Sequence, residues 1–110
     1  MEKFIKGDVI VLPFPYSDLS TSKKRPALVL ASLKGDDIIL CQITSQLIKD
    51  DYSIILNNSD FIKGSLHKKS NIRPNRLFTA EKSLIIRKIG TIKPKVFNNV
   101  TDKLCEIIKY

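Results

Sequence analysis

The sequence predicts a mainly β protein, a small curled sheet or barrel with a single C-terminal helix. Short apolar runs separated by turn residues recur as far as Ile92, which is the pattern of short strands joined by tight connections. From Pro94 onward the apolar residues follow a helical period, and a proline fits the first turn of a helix. A chain of 110 residues can bury one ordinary core, so we expect a single domain over residues 1–110.

The predicted elements follow this pattern in chain order. Six or seven strands are expected, at about residues 8–13, 27–32, 37–43, 52–56, 70–74 with a continuation at 76–79, and 84–92. Residues 61–69 are interpreted as a connection and residues 80–83 as a short helical turn, and Pro74 marks a strand end or a bulge. The helix keeps one apolar face, formed by Val96, Phe97, Val100, Leu104, Ile107 and Ile108.

A long polar loop meets an apolar strand at Arg25-Pro26. Lys23, Lys24 and Arg25 end the loop, and the next five residues carry no charge. Pro26 lacks an N–H, which suits the first position of a strand, and it restricts Arg25 to an extended backbone. We therefore expect Arg25 at a fixed point on the rim of the sheet, where its planar guanidinium is suited to phosphate.

The turn between the strands at 27–32 and 37–43 decides which residue faces Arg25. A two-residue turn centred on Lys34-Gly35 puts Arg25 opposite Thr44, and one centred on Gly35-Asp36 moves Thr44 one diagonal away on the same face. A three-residue turn would put Ser45 there instead.

The charge balance favours a polyanionic partner. The chain has 19 Lys plus Arg against 11 Asp plus Glu, a formal net charge of +8 at pH 7. The alternative is that these cations only solvate the surface. Nucleic acid is preferred because basic residues fall in loops or at strand ends, where a groove can collect them: Lys23, Lys24, Arg25, Lys68, Lys69, Arg73, Arg76, Arg87 and Lys88.

Two further features indicate a cytoplasmic protein without membrane attachment. The first residues alternate between charged and apolar types, and no run of about 18 apolar residues occurs. Cys41 and Cys105 stand in apolar surroundings with no second cysteine nearby. They are interpreted as buried free thiols, which suit a reducing compartment, with a disulfide or metal pair as the alternative.

Familiar catalytic motifs are missing from the sequence. The single histidine, His67, excludes a paired-histidine ribonuclease mechanism and is interpreted as a loop residue. No metal site of familiar spacing, phosphate-binding loop or dinucleotide fingerprint occurs, so we expect no metal and no cofactor. An enzymatic site would consist of Arg, Thr, Ser, Asp and backbone groups, which can stabilise a pentacovalent phosphorane by charge and positioning.

Six short segments stand in a familiar order along nearly the whole chain. They are Gly7-Asp8-Val9, Arg25-Pro26-Ala27-Leu28-Val29-Leu30, Ile43-Thr44-Ser45-Gln46, Ser70-Asn71-Ile72-Arg73-Pro74, Leu77-Phe78-Thr79 and Ile89-Gly90. Together they resemble the PemK/MazF toxins of type II toxin–antitoxin systems. The resemblance implies an SH3-like barrel, a homodimer, and an endoribonuclease that cuts single-stranded RNA, including mRNA, at short motifs. It also implies a cognate antitoxin whose acidic, partly disordered C-terminal tail occupies the RNA groove.

The resemblance assigns the catalytic roles to Arg25 and Thr44. The ribose 2′-hydroxyl would attack its own phosphate without a metal, with Arg25 neutralising the phosphorane and protonating the leaving oxygen. Thr44 would hydrogen-bond a phosphoryl oxygen. A guanidinium is too basic to serve as general base, so charge stabilisation is the favoured role of Arg25. Arg73 matches an arginine that some members carry, but Asn75 stands where they have an acid, and an amide cannot exchange a proton.

The remaining candidate residues would contact RNA outside the reacting phosphate. Phe14 and Tyr16 are expected to stack on bases or to pin the loop to the barrel. Gln46 would read a base edge or lie in solvent. The complete RNA-binding set is Phe14, Tyr16, Lys23, Lys24, Gln46, Arg73, Asn75 and Arg76.

Simpler interpretations remain for each assignment. Arg25 could neutralise an acid such as Asp18, and Thr44 could be an ordinary strand-end hydroxyl. The whole chain could be a non-catalytic RNA-binding barrel, which would keep the basic groove without needing Arg25 opposite Thr44. A gyrase-poisoning toxin of the same fold is a third possibility, but its tryptophan-containing tail is absent because the chain has no Trp.

Overall fold

The computed structural model describes residues 3–14 and 23–110. The strands are β1 (Asp8–Phe14), β2 (Lys23–Ser32), β3 (Asp37–Thr44), β4 (Ile54–Leu56), β5 (Phe61–Gly64), β6 (Ser70–Glu81) and β7 (Arg87–Ile92), and the helix α1 spans Pro94–Lys109. Short 3₁₀ turns lie at Asn58–Asp60 and Lys82–Leu84. Pro94 occupies the first turn of α1, as predicted.

The strands form one curled antiparallel sheet. Their order across the sheet is β4-β6-β3-β2-β1-β7-β5, so β4 and β5 are the two edges and β2 lies at the centre. Each strand pair is antiparallel. The predicted class, a mainly β protein with a C-terminal helix, is confirmed.

Both faces of the central strands are buried. Consecutive residues belong to different core clusters: Val9 and Leu28 pack in one, and Ile10 and Val29 in the other. Helix α1 covers the first cluster with Val96 and Val100. Burial on both faces explains why β1 and β2 are continuous apolar runs instead of alternating ones. Strands β1 and β2 are consequently packed against core residues on both faces.

Several predicted boundaries differ from the structure. The short helical turn lies at Lys82–Leu84 instead of residues 80–83, and the last strand begins at Arg87 instead of residue 84. Strand β2 begins at Lys23, so Pro26 is its fourth residue and not its first. The pairing of β2 with β3 reaches only Ala27, so a residue without an N–H is tolerated where that ladder ends. Residues Phe61–Gly64 form strand β5 instead of a connection. Gly64 and Gly90 let β5 approach β7 closely, because a Cβ on either would collide with backbone atoms of the other strand.

The end of α1 is more exposed than its sequence pattern predicts. Val96 and Val100 are buried, but Ile108 is 68% exposed. Cys41 is buried as predicted, whereas Cys105 is exposed on the helix, so the prediction was wrong for that thiol. Within the described ranges, no helix has the length and apolar character needed to cross a membrane.

Candidate active site

A bulge in β2 decides which residue faces Arg25. The turn spans Lys34 to Asp36, because the Leu33 N–H donates to the Asp37 carbonyl over 3.0 Å and Ser32 pairs with Ile38. A turn of this length alone would have put Ser45 opposite Arg25. The register then shifts between Val29 and Ala31, leaving one extra residue on β2.

Beyond the bulge the register is the one that a two-residue turn would have produced. Val29 pairs with Leu40 and Ala27 with Gln42. If this register continued by two residues, it would bring Arg25 opposite Thr44. Neither predicted two-residue turn forms, but the bulge restores the register that such a turn would give. The paired residues end at Ala27 and Gln42, so Arg25 and Thr44 each lie two residues beyond the β2–β3 ladder.

Arg25 and Thr44 line one cavity of about 460 Å³. This volume lies in the usual range of ligand-binding cavities. Three segments form the walls: the start of β2, the end of β3 and the connection between β5 and β6. The lining residues are Lys23, Lys24, Arg25, Pro26, Ile43, Thr44, Ser45, Leu66, His67, Lys68 and Ser70.

The cavity is strongly basic. Lys23, Lys24, Arg25 and Lys68 contribute four cations, and none of the described residues that line it is acidic. Arg25 is half-buried, and no carboxylate within the described ranges forms an ion pair with it. Asp18, the acid considered as its partner, lies outside the described residues. A concave wall of one charge sign attracts an anion such as a phosphodiester.

The Thr44 hydroxyl accepts a hydrogen bond, and no acceptor for its hydrogen occurs within residues 3–14 and 23–110. Thr44 is the last residue of β3 and only 6% exposed. Its Oγ1 accepts a hydrogen bond from the Gln46 N–H over 3.2 Å, which uses an oxygen lone pair and leaves the O–H available. The Gln46 carbonyl accepts from Asn71 Nδ2 over 3.1 Å. The chain directly after Thr44 is therefore fixed from both sides.

Arg73 lies away from this cavity. It pairs with Gln42 in the sheet, and its Nη2 lies 3.5 Å from Oδ2 of Asp50. Its Nε is buried and has no hydrogen-bond partner among the described residues. The N–H groups of Ser53 and Tyr52, more than Arg73, lower the pKa of Asp50. Arg73 is thus paired with Asp50 and does not line the Arg25–Thr44 cavity.

The other predicted RNA contacts are distributed unevenly. Lys23 and Lys24 line the cavity, and Gln46 is exposed close to it. Asn75 and Arg76 are exposed in β6 where three extra residues interrupt its pairing with β3, so Pro74 marks a bulge. Phe14 pairs with Lys23 through its backbone, but its side chain and all of Tyr16 lie outside the described residues.

Two features of the site were missed from the sequence. His67 was interpreted as an ordinary loop residue, yet it lines the same cavity as Arg25 and Thr44. A second cavity of about 410 Å³ shares Ser45 with the first and is walled by Leu47, Ile48, Ser53, Ile55, Lys69 and Asn71. The pairing of distant strands creates both, and no local pattern signals either of them.

Comparison with known families gives one match that spans nearly the whole chain. A family model described as PemK-like, MazF-like toxin of type II toxin–antitoxin system matches residues 5–108. A comparison with curated protein sequences gives no significant match.

Solved structures with the same fold include toxins and toxin–antitoxin complexes. A mycobacterial endoribonuclease in complex with its cognate antitoxin superposes with a TM-score of 0.78 at 14% identity, covering 97% of this chain and 96% of that one. The MazE-MazF complex of Deinococcus radiodurans gives 0.75 at 18% identity, covering 96% and 95%. The Mycobacterium tuberculosis toxin MazF-mt6 gives 0.73 at 13% identity, covering 93% and 96%. At such low identity the likeness is one of fold.

Proposed function

The chain belongs to the PemK-like, MazF-like toxins of type II toxin–antitoxin systems, and we propose that it acts as a sequence-specific endoribonuclease on single-stranded RNA. The observation that carries the proposal is that Arg25 and Thr44 line the same basic cavity. A permanently charged guanidinium and a hydroxyl donor on adjacent strands form a suitable cradle for a phosphodiester.

The proposed reaction uses the substrate's own 2′-hydroxyl as the nucleophile. The 2′-oxygen bonds to phosphorus, the bond from phosphorus to the 5′-oxygen breaks, and the products are a 2′,3′-cyclic phosphate and a 5′-hydroxyl. Arg25 stabilises the charge that builds on the phosphorane and donates a proton to the departing oxygen. Thr44 donates its free O–H to a non-bridging oxygen. Because the nucleophile is internal, no metal-bound water is required.

Binding of RNA on either side of the scissile phosphate is assigned to the surrounding basic and aromatic residues. Lys23 and Lys24 would hold neighbouring phosphates from within the cavity. Phe14, Tyr16, Gln46, Arg73, Asn75 and Arg76 complete the proposed RNA surface. The affinity for RNA should fall as the salt concentration rises, because neutralisation of phosphates by the protein releases counterions.

The proposed partners are a second copy of the chain and an antitoxin. The chain would form a homodimer and act in the cytoplasm, where mRNA is its substrate. Solved relatives of the same fold include complexes with a cognate antitoxin, and an acidic, partly disordered antitoxin tail would compete with RNA for the basic cavity. Light scattering should give twice the chain mass of 12.5 kDa, and a monomer at micromolar concentration would contradict the dimer.

The direct test is cleavage of a long RNA in the presence of EDTA. We expect fragments with 5′-hydroxyl ends, and sequencing those ends gives the recognition motif. Binding of the RNA without any cleavage by the parent protein would favour the non-catalytic RNA-binding barrel instead.

A further inference from the structure

His67 is held in the Arg25–Thr44 cavity from both sides along the chain. Leu66, directly before it, is half-buried and packs against the core cluster beneath α1. Ser70, three residues later, is 3% exposed, and its hydroxyl donates to the Lys68 carbonyl over 3.0 Å. The exposed imidazole is therefore carried on a short segment that is anchored at both ends, and it lines the cavity beside Lys68.

The proposed reaction needs a proton acceptor that Arg25 and Thr44 do not supply. As the 2′-oxygen bonds to phosphorus, it must lose its proton to a base. A guanidinium has no lone pair to accept with, lysine ammonium groups have none either, and a hydroxyl is a weak base. The charged groups that line the cavity are Lys23, Lys24 and Arg25 from β2 and Lys68 beside His67, while the end of β3 contributes only uncharged residues.

Position 75 does not fill this need. The resemblance places an acid there in some relatives, but this chain has Asn75, which is exposed and does not line the cavity. Among the described residues that form the cavity wall, His67 is the one whose side chain carries a ring nitrogen with a lone pair that can accept a proton.

Resting on the endoribonuclease function proposed above, we propose that His67 is the catalytic base of this protein. Its neutral imidazole takes the proton from the ribose 2′-hydroxyl as the 2′-oxygen–phosphorus bond forms. The departing 5′-oxygen takes a proton from Arg25, which is reprotonated by water. His67 then releases its proton to solvent and the site is restored.

The test compares pH profiles of single-turnover cleavage for the parent, His67→Asn and His67→Gln, with one cleavable oligonucleotide. For the parent, the rate should rise with pH as the general base loses its proton and then level off. The variants should lose about a hundredfold or more at neutral pH and show no such rise, in line with the usual contribution of a general base. Added imidazole should restore part of the activity of His67→Ala.

Binding and folding measurements separate catalysis from positioning. An oligonucleotide with a 2′-deoxy nucleotide at the cleavage position should bind parent and variants with equal affinity, and their melting temperatures should agree because His67 is exposed. Lys63→Gln, which removes an exposed charge from β5, is the matched control and should keep both the rate and the pH profile.

Several outcomes would overturn the inference. A His67→Asn protein with the rate and pH profile of the parent would do so, as would slower cleavage with an unchanged profile and weaker binding of the deoxy analogue. Loss of the pH-dependent rise in Asp18→Asn instead of His67→Asn would identify a different base. Cleavage by the parent protein distinguishes the two failures. If the parent cleaves no RNA, the proposed endoribonuclease function is wrong and the inference about His67 is wrong with it. If the parent cleaves RNA and the His67 variants behave like the parent, only the inference about His67 is wrong.

Discussion

The backbone N–H of Gln46 donates a hydrogen bond to Oγ1 of Thr44 over 3.2 Å. The Thr44 oxygen therefore accepts from the segment that follows β3, while no acceptor in the described part of the chain uses the hydroxyl hydrogen, which can donate to a ligand. Thr44 is also buried, with only 6% of the residue exposed to solvent. A change at Thr44 should therefore affect stability as well as activity.

Thr44→Val should reduce cleavage by about tenfold, the usual value of one neutral hydrogen bond. It should also lower stability by about 1 kcal/mol, because the Gln46 N–H is left without its acceptor. Thr44→Ser keeps the hydroxyl and should preserve most of both. Cleavage rates and urea unfolding of the three proteins check this, and an unchanged Thr44→Val rate would remove Thr44 from the catalytic site.

Arg25→Ala should cost about a hundred- to a thousandfold in cleavage rate, the usual loss when a preorganised transition-state donor is deleted. Arg25→Lys should recover only part of the rate, because an ammonium keeps the charge but not the planar fork. Lys95→Ala removes an exposed charge from α1 and should be without effect. Full activity of a folded Arg25→Ala protein would show that the cavity binds RNA without catalysing its cleavage.

Asp50 should make stability depend on pH in acid. Hydrogen bonds from the N–H groups of Ser53 and Tyr52, followed by the charge of Arg73, lower the pKa of Asp50 in the folded state. A carboxyl with a lowered pKa stabilises the fold above its unfolded pKa of about 4 and loses that contribution as the pH falls through the folded value. Asp50→Asn should be less stable than the parent at pH 7.

The difference between parent and Asp50→Asn should shrink as the pH falls below about 4, where the parent's carboxyl becomes protonated as well. Urea unfolding across pH 2.5 to 7 measures it. Asp51→Asn changes an exposed neighbouring acid and is the matched control. A stability difference that stays constant over this whole range would mean that the charge of Asp50 does not contribute.

The two cysteines should react with thiol reagents at very different rates. Burial raises the pKa of the Cys41 thiol to about 12, so at pH 8 it is protonated as well as inaccessible. Cys105 is exposed on α1. We expect one thiol equivalent to react quickly in the folded protein and two in denaturant, and Cys105→Ser should abolish the fast phase. Fast reaction of Cys41 in the folded state would contradict its burial.

Local patterns in the sequence were sufficient for the parts of the fold that depend on neighbouring residues. Pro94 marks the start of the helix because its fixed φ and missing N–H suit a first turn. The runs that contain Val9 and Val29 were recognised as strands because burial on both faces demands continuous apolar residues. The Arg25-Pro26 junction was predicted to be a candidate site from another local pattern, an abrupt change from charged to apolar residues.

Only the tertiary structure decided what meets at that junction. The turn at Gly35 has three residues instead of two, and the bulge between Val29 and Ala31 restores the register that a two-residue turn would give. The position of Thr44 relative to β2 therefore depends on both features. His67 reaches the same cavity because Leu66 is anchored in a core built from distant strands. The pattern of apolar residues along a strand or helix indicates which of its faces is buried. The register between strands and the approach of separate segments depend instead on how several elements pack together.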